Sequence, residues 1–164
     1  MDIDWHITAL SESDAIHLCS WVYPPPYNIN DWSNWDVMIA HGIEFGDPTI
    51  RVEQYRAVRN QELALCGFIQ LFPMVHTIRL GVGLRPDLCD KGFGKYLLKL
   101  AIHEARCRSL EAEIDLEVHT WNTRAIKTYQ KVGFMITDRY VRLATHGLES
   151  VYCMVFQGNP SMEQ

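Results

Sequence analysis

The stretch Leu84-Arg-Pro-Asp-Leu-Cys-Asp-Lys-Gly-Phe-Gly-Lys-Tyr-Leu-Leu98 restricts this chain more than any other segment. The residues before it predict a strand over Thr77–Leu84, and those after it predict a helix over Gly92–Cys107. A strand, a turn with Gly92 and Gly94, and a helix N-terminus in that order build an anion site. Glycine lets the backbone come close, and the unpaired N–H groups of the first helical turn point at the anion. The helix dipole adds roughly half a positive charge at that end. The expected ligand therefore carries phosphate. The plainer alternative is a glycine-punctuated turn that binds nothing.

Residue identity separates the possible phosphate motifs. A P-loop ending in Gly94-Lys95 needs glycine at 89 and Ser or Thr at 96, where the chain has Cys89 and Tyr96. A dinucleotide fingerprint from Gly81-Val-Gly83 needs a small residue at 86, which is Pro86. One starting at Gly92 fails at Leu97. The stretch instead resembles the pyrophosphate loop of the GNAT superfamily of N-acetyltransferases. Leu84, Pro86, Gly92 and Gly94 match at the family's spacing. Cys89 stands where that loop usually has Arg or Gln, and Asp90 where it usually has Gly or Asn. Asp90 sets a negative charge close to the expected phosphates, with Lys91 and Lys95 beside it as compensation.

Downstream, Ile114, Leu116, Val118 and Thr120 alternate with Asp115, Glu117, His119 and Trp121, which predicts a strand over Ala112–Thr120. Asn122 is a good N-cap, and Ala125, Ile126, Tyr129 and Val132 fall at helical spacing. Gly133 ends that helix and Phe134 opens the next strand. Asn122, Ala125, Tyr129, Gly133 and Phe134 also resemble the superfamily, so that the likeness covers roughly residues 50–157 and is loose before that.

The resemblance implies a mixed α/β (α+β) sheet of about seven strands, with a central splayed parallel pair at Thr77–Leu84 and Ala112–Thr120 and flanking helices. It implies acetyl-CoA as cosubstrate, without a metal, and a primary amine as acceptor. Leu84, Cys89, Lys91, Gly92, Phe93, Gly94, Lys95, Asn122 and Tyr129 are the implied CoA-binding positions. Attack on a thioester needs a neutral amine and a protonated leaving thiol, hence a base, an acid and an oxyanion donor. Tyr129 is the implied acid; a core tyrosine is its bland alternative. Glu117, twelve residues earlier, is the candidate base, as in the ribosomal-protein acetyltransferases it resembles; His119, Glu53 and a water chain are rivals.

Residues 21–47 are rich in aromatic and acidic side chains and contain no Lys or Arg. Pro24–Pro26 stiffen the segment, and Asp31 or Ser33 starts a short predicted helix over Trp32–Ile39. In the resembling family this region covers the acceptor. Tyr23, Tyr27, Trp32 and Trp35, with Asp31, Asp36 and Glu44, would suit a cationic amine, Tyr27 and Trp32 being the named substrate candidates. The alternative is that the rings pack onto the sheet and the acids face water.

The chain's 164 residues suffice for one acetyltransferase-like domain over 1–157, followed by a polar tail, Gly158–Gln164, expected to be mobile. No apolar run reaches ~18 residues, so no membrane span is expected. Five cysteines without metal spacing, and a start without a basic n-region, point to a reducing cytoplasm. Cys89, beside the loop, is a candidate reactive thiol. A net charge of −5 with scattered Lys and Arg argues against nucleic acid. The expected partner is a small amine or a peptide or protein amine, with a homodimer possible.

The remaining predicted elements are strands at Ile3–Thr8, Thr49–Val58, Leu63–Phe72, Phe134–Leu143 and Val151–Gln157, and a helix at Glu12–Cys19. Three other readings stay open: a longer acyl-CoA donor, a CoA-binding regulatory or scaffolding module without turnover, and an α/β domain that binds no CoA.

Overall fold

The computed structural model describes residues 3–158. The remainder of the predicted tail, 159–164, lies outside the described residues. The strands are β1 (His6–Ala9), β2 (Tyr55–Arg59), β3 (Leu65–Met74), β4 (Thr77–Leu84), β5 (Glu113–His119), β6 (Phe134–Ala144) and β7 (Gly147–Phe156). The helices are α1 (Glu12–Leu18), α2 (Trp35–Ala40), α3 (Pro48–Gln54), α4 (Gly94–Arg108) and α5 (Thr123–Val132). The strands form one seven-stranded mixed sheet in the order β1-β2-β3-β4-β5-β7-β6. Parallel pairing of β4 with β5 joins Thr77–Leu80 to Glu113–Leu116, the first halves of the two strands. The second half of β5 pairs with β7, His119 facing Val151.

Two compact units divide the described residues, one drawn from residues 3–70 and 82–93, the other from residues 71–81 and 94–158. In the first unit the core is aromatic. Phe45 and Tyr55 are fully buried, and Phe68 lies beside Tyr55. Ser11 and Asp14 form a capping box at the start of α1, which fixes the helix that buries Ala15 and Leu18. In the second unit the apolar face of the strands carries Ile78, Leu80, Ile114, Leu116 and Val118. Helix α4 buries Leu97, Leu98, Ala101 and Ala105, one face at helical spacing.

Several predicted boundaries are corrected. Residues 48–54 are helix, not the first part of a strand. The β-branched Thr49, Ile50 and Val52 suggest extended chain, but Asp47 accepts from Thr49 N (2.8 Å) and Ile50 N (3.1 Å), and Pro48 occupies the first turn. This cap outweighs the propensity of three residues. Glu53, read above as a strand residue, is therefore an exposed helical one. The helix predicted over Trp32–Ile39 is instead a single 3-10 turn at Tyr27–Asn30 and then α2, which Asn34 caps at Val37 N (3.0 Å). Helix α4 starts at Gly94, two residues later than predicted. Strand β7 starts at Gly147, because a two-residue turn at Thr145-His146 lets Leu148, Glu149 and Ser150 pair with β6.

Candidate functional site

In the first unit, the end of β4 is tied down by its neighbours. Tyr23 donates its hydroxyl to the Leu84 carbonyl at 2.6 Å, and Arg85 N donates to Cys66 O at 2.8 Å. Pro86–Leu88 make a 3-10 turn braced by the Arg85 guanidinium on Asp87 (2.6 Å) and on Leu65 O (3.0 Å). Cys89 closes that turn, five residues ahead of α4, with its thiol 3.8 Å from Arg85 O. The chain then reverses through Asp90 (φ 61°) and Gly92 (φ 82°), both in the left-handed region. At Gly92 a Cβ would meet nothing within 4 Å. The glycine thus serves a backbone conformation and leaves open space before the helix, as a loop that admits phosphates requires. Phe93 stacks on Trp5 with ring centroids 5.2 Å apart, which anchors the loop. Lys91 is exposed.

The second unit begins at Gly94, and no acidic residue lies in the first turn of α4. A Cβ on Gly94 would lie 3.3 Å from Thr128 Cγ2 of α5, a tight contact between the two helices. Lys95 is exposed, its ammonium 5.0 Å from the centre of the Tyr96 ring. Asn122 caps α5, accepting from Ala125 N at 3.2 Å. Gly133, at φ 120°, ends it by donating its N–H to Tyr129 O and Gln130 O.

Tyr129 is half-buried, beside Phe134 at 6.3 Å. Its hydroxyl makes no hydrogen bond to any described residue. Burial pushes it up to about 12, with Arg124 pulling weakly the other way. The group therefore holds its proton at neutral pH and donates it to no acceptor among the described residues.

Glu117 sits in a chain of charges along one face of β4, β5, β7 and β6. Arg79 clamps Asp115 with two hydrogen bonds (3.0 and 2.8 Å) and reaches Glu117 Oε1 at 2.7 Å. Arg142 donates to Glu117 Oε2 at 3.1 Å and to Glu149 Oε2 at 3.2 Å. His119 Nε2 lies 3.1 Å from Glu149 Oε2 without hydrogen-bond alignment, and the His119 ring stacks on Trp121. Burial acts to raise the Glu149 carboxyl, but His119 and Arg142 outweigh it and hold the group below its usual range. Tyr140 is held protonated by burial and by a hydrogen bond to Glu117. Both oxygens of Glu117 thus already accept charged hydrogen bonds, and taking up a proton there would break into that pairing.

Of the acceptor candidates, Trp32 packs edge-on against Phe45 (4.8 Å) and Phe68 (5.9 Å), and Tyr27 lies in the 3-10 turn. Asp31 accepts from Tyr23 N, so it shapes the loop. The sequence reading missed the Arg79 and Arg142 bridges. Its only trace there was a charge at every second residue of β5.

The fold is shared with known proteins. In fold, the chain resembles a chimera of the spermidine N-acetyltransferase SpeG from Vibrio cholerae and hSSAT, with a TM-score of 0.70 at 18% identity over 98% of this chain and 99% of that one. It also resembles the ribosomal-protein-S18-alanine N-acetyltransferase from Escherichia coli, with a TM-score of 0.63 at 22% identity over 93% and 92% of the two chains. In sequence, it is 31% identical over 121 residues to a mycothiol acetyltransferase from Mycolicibacterium gilvum, which is 69% of this chain and 38% of that protein. The chain thus spans well under half the length of that curated relative. The model of the acetyltransferase (GNAT) family matches residues 15–134, and the chain belongs to that family.

Proposed function

We propose that this protein transfers an acetyl group from acetyl-CoA to a primary amine by direct attack. The observation that carries the reading is Tyr129, a protonated, half-buried hydroxyl with no hydrogen bond to the described protein. The loop from Arg85 to Phe93 supports it, since Gly92 leaves open space ahead of α4. Backbone N–H groups there would hold the CoA phosphates, with Lys91 and Lys95 adding charge. Leu84 and Phe93 in the first unit, and Asn122 in the second, are the further positions to which the resemblance carries a cosubstrate role. Cys89, held in its turn, would help to shape the loop.

In the reaction the amine nitrogen bonds to the acetyl carbon and the carbon–sulfur bond breaks. Tyr129 gives its proton to the departing sulfur, and the proton lost by the amine passes to a base or to water. Glu117 stands for that base role despite its two arginine partners, and Glu117→Gln, His119→Gln and Glu53→Gln, each assayed against pH, decide among the carboxylates, the imidazole and water. The reading is tested by thiol release from acetyl-CoA over a panel of primary amines, together with CoA calorimetry. Wild type should bind CoA and release thiol, and Gly92→Glu should lose binding while staying folded. A folded wild type that binds neither CoA nor acetyl-CoA would end the proposal.

A further inference from the structure

Strand β6 ends the sheet, so one of its edges is bonded to β7 and the other meets no described strand. It is eleven residues long, contains no proline and exposes every residue from Met135 to Leu143. A bulge between Ile136 and Asp138 interrupts its start, and the regular edge runs from Asp138 to Ala144. An open edge of this kind is a template for another strand, and proline, short length or inward charges are what usually blunt it. Here the end of the edge carries apolar side chains in water. Val141 is 62% exposed and Leu143 81%, with Leu148 of β7 opposite Leu143 at 78%.

The charges say which strand fits. Asp138, Tyr140 and Arg142 lie on one side of β6, and Arg139, Val141 and Leu143 on the other. Asp138 makes no hydrogen bond or ion pair with any described residue. Arg142 gives Nε to Glu149 and Nη1 to Glu117, which leaves Nη2 for a further acceptor. Consider a second copy of β6 laid antiparallel beside the first about a two-fold axis normal to the sheet. Facing residues must then share a side, so the axis passes through one residue and its copy. An axis at Asp138, Arg139 or Arg142 sets a charge against itself, which is unfavourable. An axis at Val141 sets Asp138 against Ala144. An axis at Tyr140 sets Asp138 against the second copy's Arg142 and Arg142 against the second copy's Asp138, so both pairs form at once.

We propose that the outer edge of β6 is a homodimer interface, in which two copies pair antiparallel about Tyr140. Backbone hydrogen bonds join the two sheets, and two Asp138–Arg142 ion pairs fix the register. The occupant is a second copy because this strand's charges complement their own reversed order.

The test uses the full chain. Sedimentation equilibrium of wild type should give a dimer. Asp138→Lys alters a side chain with no partner in the fold and turns both ion pairs into like-charge contacts. It should raise the dimer dissociation constant roughly tenfold, with an unchanged circular dichroism spectrum. The register is read by cross-linking in a Cys107→Ser background, which removes the exposed native thiol. There Tyr140→Cys should give a disulfide-linked dimer on mild oxidation, because the two copies of an axial residue face each other, and Val141→Cys should not. Non-reducing electrophoresis with peptide mass mapping identifies the bond. A wild type that stays monomeric at the highest soluble concentration overturns the inference. So does an Asp138→Lys protein that dimerises as tightly as wild type, or cross-linking through Val141→Cys in place of Tyr140→Cys.

Discussion

Gly83→Ala should destabilise the protein by about 2 kcal/mol, within the 1–3 kcal/mol range of an overpacked core. A Cβ built on Gly83 lies 2.8 Å from Phe68 Cζ and closer still to Cε1. Carbon contacts are comfortable at about 3.5–4.0 Å, so the ring must retreat by roughly 1 Å. It has little freedom to do so. Phe68 is 8% exposed and lies against Trp32 at 5.9 Å and Tyr55 at 6.2 Å. For a chain of this size, 2 kcal/mol lowers Tm by about 4–8 °C. Calorimetry of wild type, Gly83→Ala, Phe68→Leu and the double variant supplies the coupling. The added methyl should cost much less when Leu replaces the ring, a coupling of about 1–2 kcal/mol. If Gly83→Ala melts within about 1 °C of wild type, or if the two changes simply add, then Gly83 is not glycine because of Phe68. The Gly81-Val-Gly83 pair would then need another explanation.

Tyr129→Phe should lower kcat by about a hundredfold or more, the usual share of a general acid, without changing CoA affinity by calorimetry. Because burial pushes Tyr129 up to about 12, no alkaline loss of wild-type turnover from this group is expected below about pH 10 in a pH–rate profile. Arg79→Met strands the buried Asp115 carboxylate without its clamp and should cost about 3–5 kcal/mol in urea unfolding. Asp14 is desolvated, but hydrogen bonds from Ser11 and Arg59 outweigh that and hold its carboxyl below the usual range. Its contribution to stability is thus full above about pH 4 and lost as pH falls through the lower folded value. Asp14→Asn should flatten this acid limb in unfolding curves taken across pH.

What was legible in the sequence was local. Asn122 and Gly133 bound α5 within a single stretch of chain, and β4 runs over Thr77–Leu84 as its pattern predicts. Helix α3 is masked in the sequence by its β-branched residues, although the Asp47-Pro48 start signal stands beside them. Trp32 packs on Phe45 and Phe68, a contact between residues distant in sequence that its residue type alone does not reveal. The Arg79 chain could not be read, because it depends on strand register: Arg79 faces Asp115 across β4 and β5, and Arg142 faces Glu149 across β6 and β7. The partners of Glu44 cannot be read either, because Tyr55 and Gln70 fold onto it from later in the chain.

A polar group that serves the fold spends its hydrogen bonds and charge on the protein, whereas one that serves a ligand must keep some in reserve. Asp14, Asp115, Glu117 and Glu149 are all spent on arginines or on nearby donors. Most of the chain's charge near the strands is therefore structural, although its residue types are those from which bases are drawn. One group differs. The Tyr129 hydroxyl is protonated and bonded to nothing described. Keeping such a group in a folded chain costs stability, since it gives up an interaction that packing could supply. Replacing it should therefore return that stability. Tyr129→Phe should be neutral or slightly stabilising while turnover collapses, and a loss of stability comparable to that of Arg79→Met would show that Tyr129 is a core residue and not a proton donor.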